Sequence, residues 1–195
     1  MTSGLKWRML TLQIVLAVAL AFGSGFLFWA SSFTQGYVHD ELSAQKISFP
    51  AADSKSIAAL PAANATAMKQ YAGQALDNGD KAKVYANNFI AIHLDEIGMT
   101  YSQASAKAMA NPTDTKLAAT VQTLFRGETL RGLLLNAYAF GKMGTIALTA
   151  AIVSFITAGV MLLLSALGFW HLRRVSPEAE VLAKLGARTP APVEL

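Results

Sequence analysis

The chain has 195 residues, room for one modest domain, yet only 14 % of them are charged and the mean hydropathy is +0.38, which is more apolar than a soluble protein of this size carries. Sixteen Lys and Arg against twelve Asp and Glu give a formal charge of +4. There is no cysteine, which excludes a thiol nucleophile, a CxxC redox pair and thiolate-bound zinc, and means that any exported portion is held by packing without disulfides.

The apolarity is concentrated in two runs without a charged residue, Met9 to Ala30 and Thr145 to Trp170. A helix rises about 1.5 Å per residue and the hydrocarbon core of a bilayer is about 30 Å thick, so each run is long enough to cross it. Lys6 and Arg8 before the first run, with small residues at Ala30 and Ser31 after it, also fit a cleaved signal peptide. The run exceeds the roughly 7 to 15 apolar residues of a signal peptide, so an uncleaved signal anchor is expected. Lys6, Arg8, Arg173 and Arg174 set the topology: with Lys184 and Arg188 they place the basic flanks of both spans on one side, so both termini are expected in the cytoplasm. The intervening segment then lies outside, and its ten basic and nine acidic residues make it almost neutral. The pI of about 9.4 is therefore no nucleic-acid signal; the basic excess of the tails suits anionic membrane lipid.

In the first run Ala17, Ala21 and Gly25 recur at every fourth position, and the second offers Ala147, Ala151, Ser154 and Ala158. Small residues on one stripe let helix backbones approach closely in lipid, so these are expected to face each other in a helix hairpin or to mediate self-association. Trp29 and Trp170 mark opposite interfaces.

Beyond the first span, 31–49 shows no sustained helical period. Tyr37 to Gln45 suits a short helix and Lys46 to Phe49 a short extended piece before Pro50. The Ala, Ser and Pro content of 50–63 reads as a surface connection, and Asn64-Ala65-Thr66 is a formal glycosylation acceptor. Helices are expected over Ala65 to Leu76 and over Lys81 to Ile97, the second capped by Asp80 and carrying an apolar face of Tyr85, Phe89, Ile92, His93 and Ile97. Thr100 and Gln103 have capping-box spacing and open a small Ala-rich helix. Asn111 and Pro112 are expected to start a long helix whose stripe of Leu117, Val121, Leu124, Phe125, Leu130, Leu134 and Tyr138 forms the core of the outer segment or an exposed docking face. Gly141 and Gly144 predict a kink or brief break before the second span.

Little chemistry is legible. Of three histidines only His39 and His93 lie on the same side of the predicted membrane, and no HxD, HExxH, GxSxG, P-loop or GxGxxG pattern occurs. The spans contain no ionisable residue, which argues against ion or proton transport by this chain alone. No catalytic residue, cofactor or metal site is expected.

The runs Asp80 to Ile90, His93-Leu94, Thr100-Tyr101 and Leu124 to Tyr138 together resemble a family of small actinobacterial membrane proteins with two spans and a helical outer segment. The resemblance covers 6–177 and implies that topology. Some members are labelled LigA-like aromatic ring-opening dioxygenases, which implies a metal centre for which this chain offers only His39, His93 and neighbouring acids such as Asp95 and Glu96.

The predicted fold is all-α. It has a cytoplasmic N-terminus (1–8), a first transmembrane helix (9–30), an extracytoplasmic helical domain (31–144), a second transmembrane helix (145–170) and a cytoplasmic tail (171–195). The expected role is association, with itself or with another envelope membrane protein, as in an accessory or assembly subunit. A membrane-anchored sensor or ligand-binding module is the alternative, and the metal-dependent ring-opening dioxygenase that the family label implies is a distant one.

Overall fold

A computed structural model describes residues 3–174; the predicted tail beyond Arg174 lies outside the described residues. Every regular element among them is helical: α1 (Ser3–Ala44), α2 (Lys55–Ala58), α3 (Ala62–Lys69), α4 (Gly79–Tyr85), a π-helical turn (Ala86–Ile90), α5 (Ala91–Asp95), α6 (Tyr101–Ala110) and α7 (Thr115–Arg174). Two of them, α1 and α7, have the length and composition to cross a membrane. The chain forms two compact units, one made of the described residues up to Leu27 together with those from Thr149 on, the other of Phe28–Leu148.

In the first unit α1 and α7 run antiparallel. Their buried positions fall seven residues apart, Ala17 and Ser24 on α1 and Ala151, Ala158 and Ser165 on α7, with half-buried Gln13, Leu20, Leu27, Ser154, Met161 and Gly168 between them. Alternating steps of three and four are the seam of a left-handed helix pair. The polar side chains in this seam turn toward backbone. The Ser24 hydroxyl donates to the Ala151 carbonyl at 2.8 Å, the Gln13 amide to the Met161 carbonyl at 3.1 Å, and the Ser165 hydroxyl to the Met161 carbonyl at 2.8 Å. Residues off the seam are apolar and exposed, among them Leu12, Phe22, Phe26, Ile152, Phe155 and Leu163.

The four-residue stripe expected on α1 is not what the seam uses. Ala17 is buried, but Ala21 and Gly25 are exposed, and a Cβ built on Gly25 meets nothing within 4 Å. Steps of four advance about 40° too far on a helix of 3.6 residues per turn, so only one member of such a stripe can stay at the centre of a seam. On α7 the spacing already alternates, and Ala147 and Ser154 are half-buried beside the buried Ala151 and Ala158.

The second unit has a core of Val38, Leu42, Phe49, Ile57, Leu60, Met68, Leu76, Ala82, Ala86, Ile90, Leu94, Ala104, Leu124 and Leu134. Several expectations need correction here. Helix α1 does not end near residue 30; it continues to Ala44. Its inward positions there are Ser31, half-buried Thr34, Val38 and Leu42, and the two hydroxyl residues hide the apolar period. The 50–63 stretch is not merely surface: Ser54 caps α2, and Ile57 and Leu60 are buried in the core. Helix α3 stops at Lys69, short of Leu76. Gly73 (φ 71°) turns the chain so that 47–49 pairs with 73–76: the Phe49 N–H donates to the Gln74 carbonyl at 2.9 Å and the Leu76 N–H to the Ile47 carbonyl at 2.8 Å. Ser48 and Ala75 form the resulting isolated bridge.

The expected 81–97 helix is interrupted by the π turn, whose extra residue shifts the inward face. Ala82, Ala86, Ile90 and Leu94 are buried, whereas Tyr85, Phe89, Ile92 and Ile97 are partly buried against them. The edge-on stack of Phe49 on Tyr85 (5.4 Å) and the tilted Tyr85–Phe89 pair (5.0 Å) line that flank. Thr100 and Gln103 make both bonds of a capping box. Asn111 closes α6, and Asp114 caps α7 instead, its carboxylate accepting the Leu117 N–H at 2.9 Å. The helix runs unbroken through Gly141 and Gly144 where a break was expected, because both are buried at close approaches rather than exposed to solvent.

Candidate functional site

The most polar constellation lies where α4 meets α7 in the second unit. Asn78 caps α4, its side-chain oxygen accepting the Lys81 N–H at 3.0 Å, where Asp80 had been expected as the cap. Gly79 then sits directly on the α7 backbone: a Cβ there would stand 3.1 Å from the Ala137 carbonyl oxygen and from the Tyr138 Cα. A Cβ on Gly141 would stand 3.4 Å from the Gly79 Cα. The two glycines let the chains touch, and the contact carries Asp80 and Lys83 to the turn of α7 holding Tyr138 and Lys142.

The Lys142 ammonium pairs with the Asp80 carboxylate at 2.9 Å, and the Lys83 ammonium donates to the Tyr138 hydroxyl at 3.3 Å. Both ammonium groups also approach the Tyr138 ring, at 4.6 Å for Lys83 and 5.5 Å for Lys142. The hydrogen bond and charge of Asp80 raise the Lys142 pKa above its usual value, so the side chain is a cation at any physiological pH. From α1, the Gln35 amide donates to the Gly141 carbonyl at 2.9 Å and to the Thr145 hydroxyl at 3.2 Å. Gln35, Asp80, Tyr138 and Lys142, with Tyr71, Asn78 and Thr145, line an open-sided cavity of about 310 Å³, and Lys83 stands beside it at Tyr138. Its chemistry is that of a binding site: two phenols, two amides, a hydroxyl and a carboxylate–ammonium pair, without a nucleophile–base arrangement.

The residues singled out from sequence are distributed as follows. Leu124 and Leu134 are buried in the core, Val121 and Leu130 pack against it, and Leu117 is half-buried. Phe125 points away from the core, half-exposed, and meets Tyr101 at 5.9 Å. Tyr138 belongs to the cavity. Lys6 and Arg8 lie near the start of α1, while at the end of α7 Arg173 stacks on Phe169 at 4.3 Å and Arg174 on Trp170 at 4.1 Å. Outside those residues, Glu128 and Arg131 of α7 pair at 3.5 Å, and Arg131 also reaches the Asn87 side chain at 3.4 Å. Sequence reasoning missed Gln35, Asp80 and Lys83 as members of one site. The available signal was a polar residue at the outer end of each charge-free stretch, Gln35 near the end of 9–38 and Lys142 just before 143–170.

The His39 Nδ1 contacts the Asp77 carbonyl at 3.1 Å and the His93 Nδ1 the Phe89 carbonyl at 2.7 Å. Among the described residues no three His, Asp or Glu side chains form a group that could hold a metal ion. The metal centre implied by the dioxygenase label does not fit the His, Asp and Glu side chains of the described residues.

The fold and site thus define an all-helical protein with two helices suited to crossing a membrane and a polar cavity lined in part by residues of those helices. Comparison with protein-family models, curated proteins and solved structures returns no match.

Proposed function

We propose that this is an integral membrane protein of the helical-hairpin kind, with both termini in the cytoplasm and the segment 31–144 outside. It acts by association in the cell envelope, as an accessory or assembly subunit of a larger membrane complex or as a self-associating scaffold. The observation that carries this reading is the sorting of side chains in the first unit. Polar groups turn into the α1–α7 seam, and large apolar side chains such as Phe22, Phe155 and Leu163 face outward. In water that surface would drive aggregation, whereas in lipid it carries no penalty. The exposed small residues Ala21 and Gly25 offer a second face on α1 for another helix.

Carbonate extraction of membranes followed by affinity purification in mild detergent tests both parts. Retention in the carbonate pellet with stoichiometric co-purifying membrane proteins, or a defined homo-oligomer, is expected. A carbonate-soluble chain, or an isolated monomer, contradicts the reading. The cavity around Tyr138 favours a second reading, a membrane-anchored ligand-binding module.

A further inference from the structure

We propose that the cavity between α4 and the Tyr138–Thr145 turns of α7 binds the phosphodiester headgroup of an anionic membrane lipid. This rests on the membrane reading above.

Three observations support the proposal. The first is the donor set. The Tyr71 and Tyr138 phenols and the Lys142 ammonium line one volume of about 310 Å³, large enough for a phosphate with a hydroxylated substituent, while the Gln35, Asn78 and Thr145 side chains on its wall already donate to the Gly141 carbonyl, the Thr145 hydroxyl and the Asp77 carboxylate. Two ammonium groups, Lys83 and Lys142, stand at Tyr138 against one carboxylate, Asp80, so the local balance is one positive charge. That balance suits a monoanion better than a neutral or zwitterionic ligand.

The second is accessibility. The Lys142 and Asp80 side chains are 43 % and 62 % exposed, so their pair is open to exchange with an incoming anion. A solvent-screened pair of this kind contributes little, so a desolvated phosphate contact can displace it.

The third is position. Lys142 is the last charged residue before the charge-free stretch 143–170, and Gln35 lies in the charge-free stretch 9–38, just before His39 and Asp40. In a bilayer these positions fall at headgroup depth, where a basic side chain beside a polar hollow meets lipid phosphate. Helical continuity of α7 through Gly141 and Gly144 keeps Tyr138, Lys142 and Thr145 on one face, three to four residues apart.

The test uses the full chain in a neutral detergent, titrated with short-chain phosphatidylglycerol, short-chain phosphatidylcholine, glycerol phosphate and inorganic phosphate. The wild type is expected to bind phosphatidylglycerol at least tenfold more tightly than phosphatidylcholine. Lys83→Gln with Lys142→Gln should lose at least tenfold of that affinity, while Arg126→Gln, an exposed cation away from the cavity, leaves it unchanged. Asp80→Asn removes the competing carboxylate and should tighten binding several-fold, a gain that a general loss of folding does not produce. Equal binding of both lipids, no effect of the double lysine variant, or weaker binding on Asp80→Asn overturns the proposal. If glycerol phosphate or inorganic phosphate binds as tightly as phosphatidylglycerol, the assignment to lipid is overturned in favour of a free phosphate. Short-chain lipids report on the cavity whether or not the chain spans a bilayer, so this result is independent of carbonate extraction.

Discussion

The hydroxyl of Ser24 on α1 donates a 2.8 Å hydrogen bond to the carbonyl of Ala151 on α7, at a buried point where both helices present a small residue. Interhelical bonds of this kind contribute about 0.6 kcal/mol on average in a membrane, because the separated helices also find partners. Most of the contribution of Ser24 is therefore its size. Ser24→Ala is expected to lower stability by less than about 1 kcal/mol, and Ser24→Leu by about 1 to 3 kcal/mol through overpacking. Detergent-denaturant unfolding of the two variants checks the order. Equal losses would place the main contribution in the hydrogen bond.

Glycines at two positions should respond with opposite sign. Gly79 has the α7 backbone 3.1 Å from where a Cβ would sit, and backbone cannot move aside as a side chain can. Gly79→Ala is expected to destabilise by about 1 to 3 kcal/mol. Gly132, in the middle of α7 with nothing within 4 Å, should gain roughly 0.8 to 1 kcal/mol on substitution by Ala through helix propensity alone. Thermal midpoints of the two variants, one below and one above wild type, are the readout.

Ile57 tests whether 50–63 is part of the core. The side chain is fully buried in a stretch whose composition reads as linker. Ile57→Ala should cost about 2 to 5 kcal/mol, the range of buried aliphatic truncations, whereas Ala52→Ser, exposed in the same stretch, should change stability by less than about 0.5 kcal/mol. Chemical denaturation of both variants decides it.

Alkaline pH tests the packing of Tyr85. Burial raises its phenol above the ordinary 10.0, so the folded protein holds that proton more tightly than the unfolded chain does. The stability from this group is complete below the unfolded value and is lost as the pH rises from there through the raised folded value. Tyr85→Phe should unfold less steeply with rising pH above about 10, with little change near neutrality; melting curves from pH 8 to 11 show it.

The parts of this fold that were legible in the sequence are those governed by single local rules. Charge-free length marked α1 and α7, and Thr100 with Gln103 marked the capping box. Where two rules compete, tertiary context decides. Both Asn78 and Asp80 can cap a helix, as can Asn111 and Asp114; the winner is the one whose choice lets Gly79 reach α7 or ends α6 at Asn111. The upper part of α1 was hidden because its seam carries Ser31 and Thr34 among apolar residues, and a hydrophobic-period search penalises both. The cavity was illegible because Gln35, Asp80 and Lys142 lie far apart in the chain. They are gathered by a glycine contact that no spacing pattern announces.

Side-chain topology in living cells tests the central claim most directly. The chain has no cysteine, so a single introduced thiol is uniquely addressable. Ser102→Cys, exposed on α6, is expected to react with a membrane-impermeant maleimide in intact cells, and Ser176→Cys only after the cells are opened. Labelling of Ser176→Cys in intact cells, or protection of Ser102→Cys until lysis, would contradict an outer helical domain carried on two membrane helices with cytoplasmic ends.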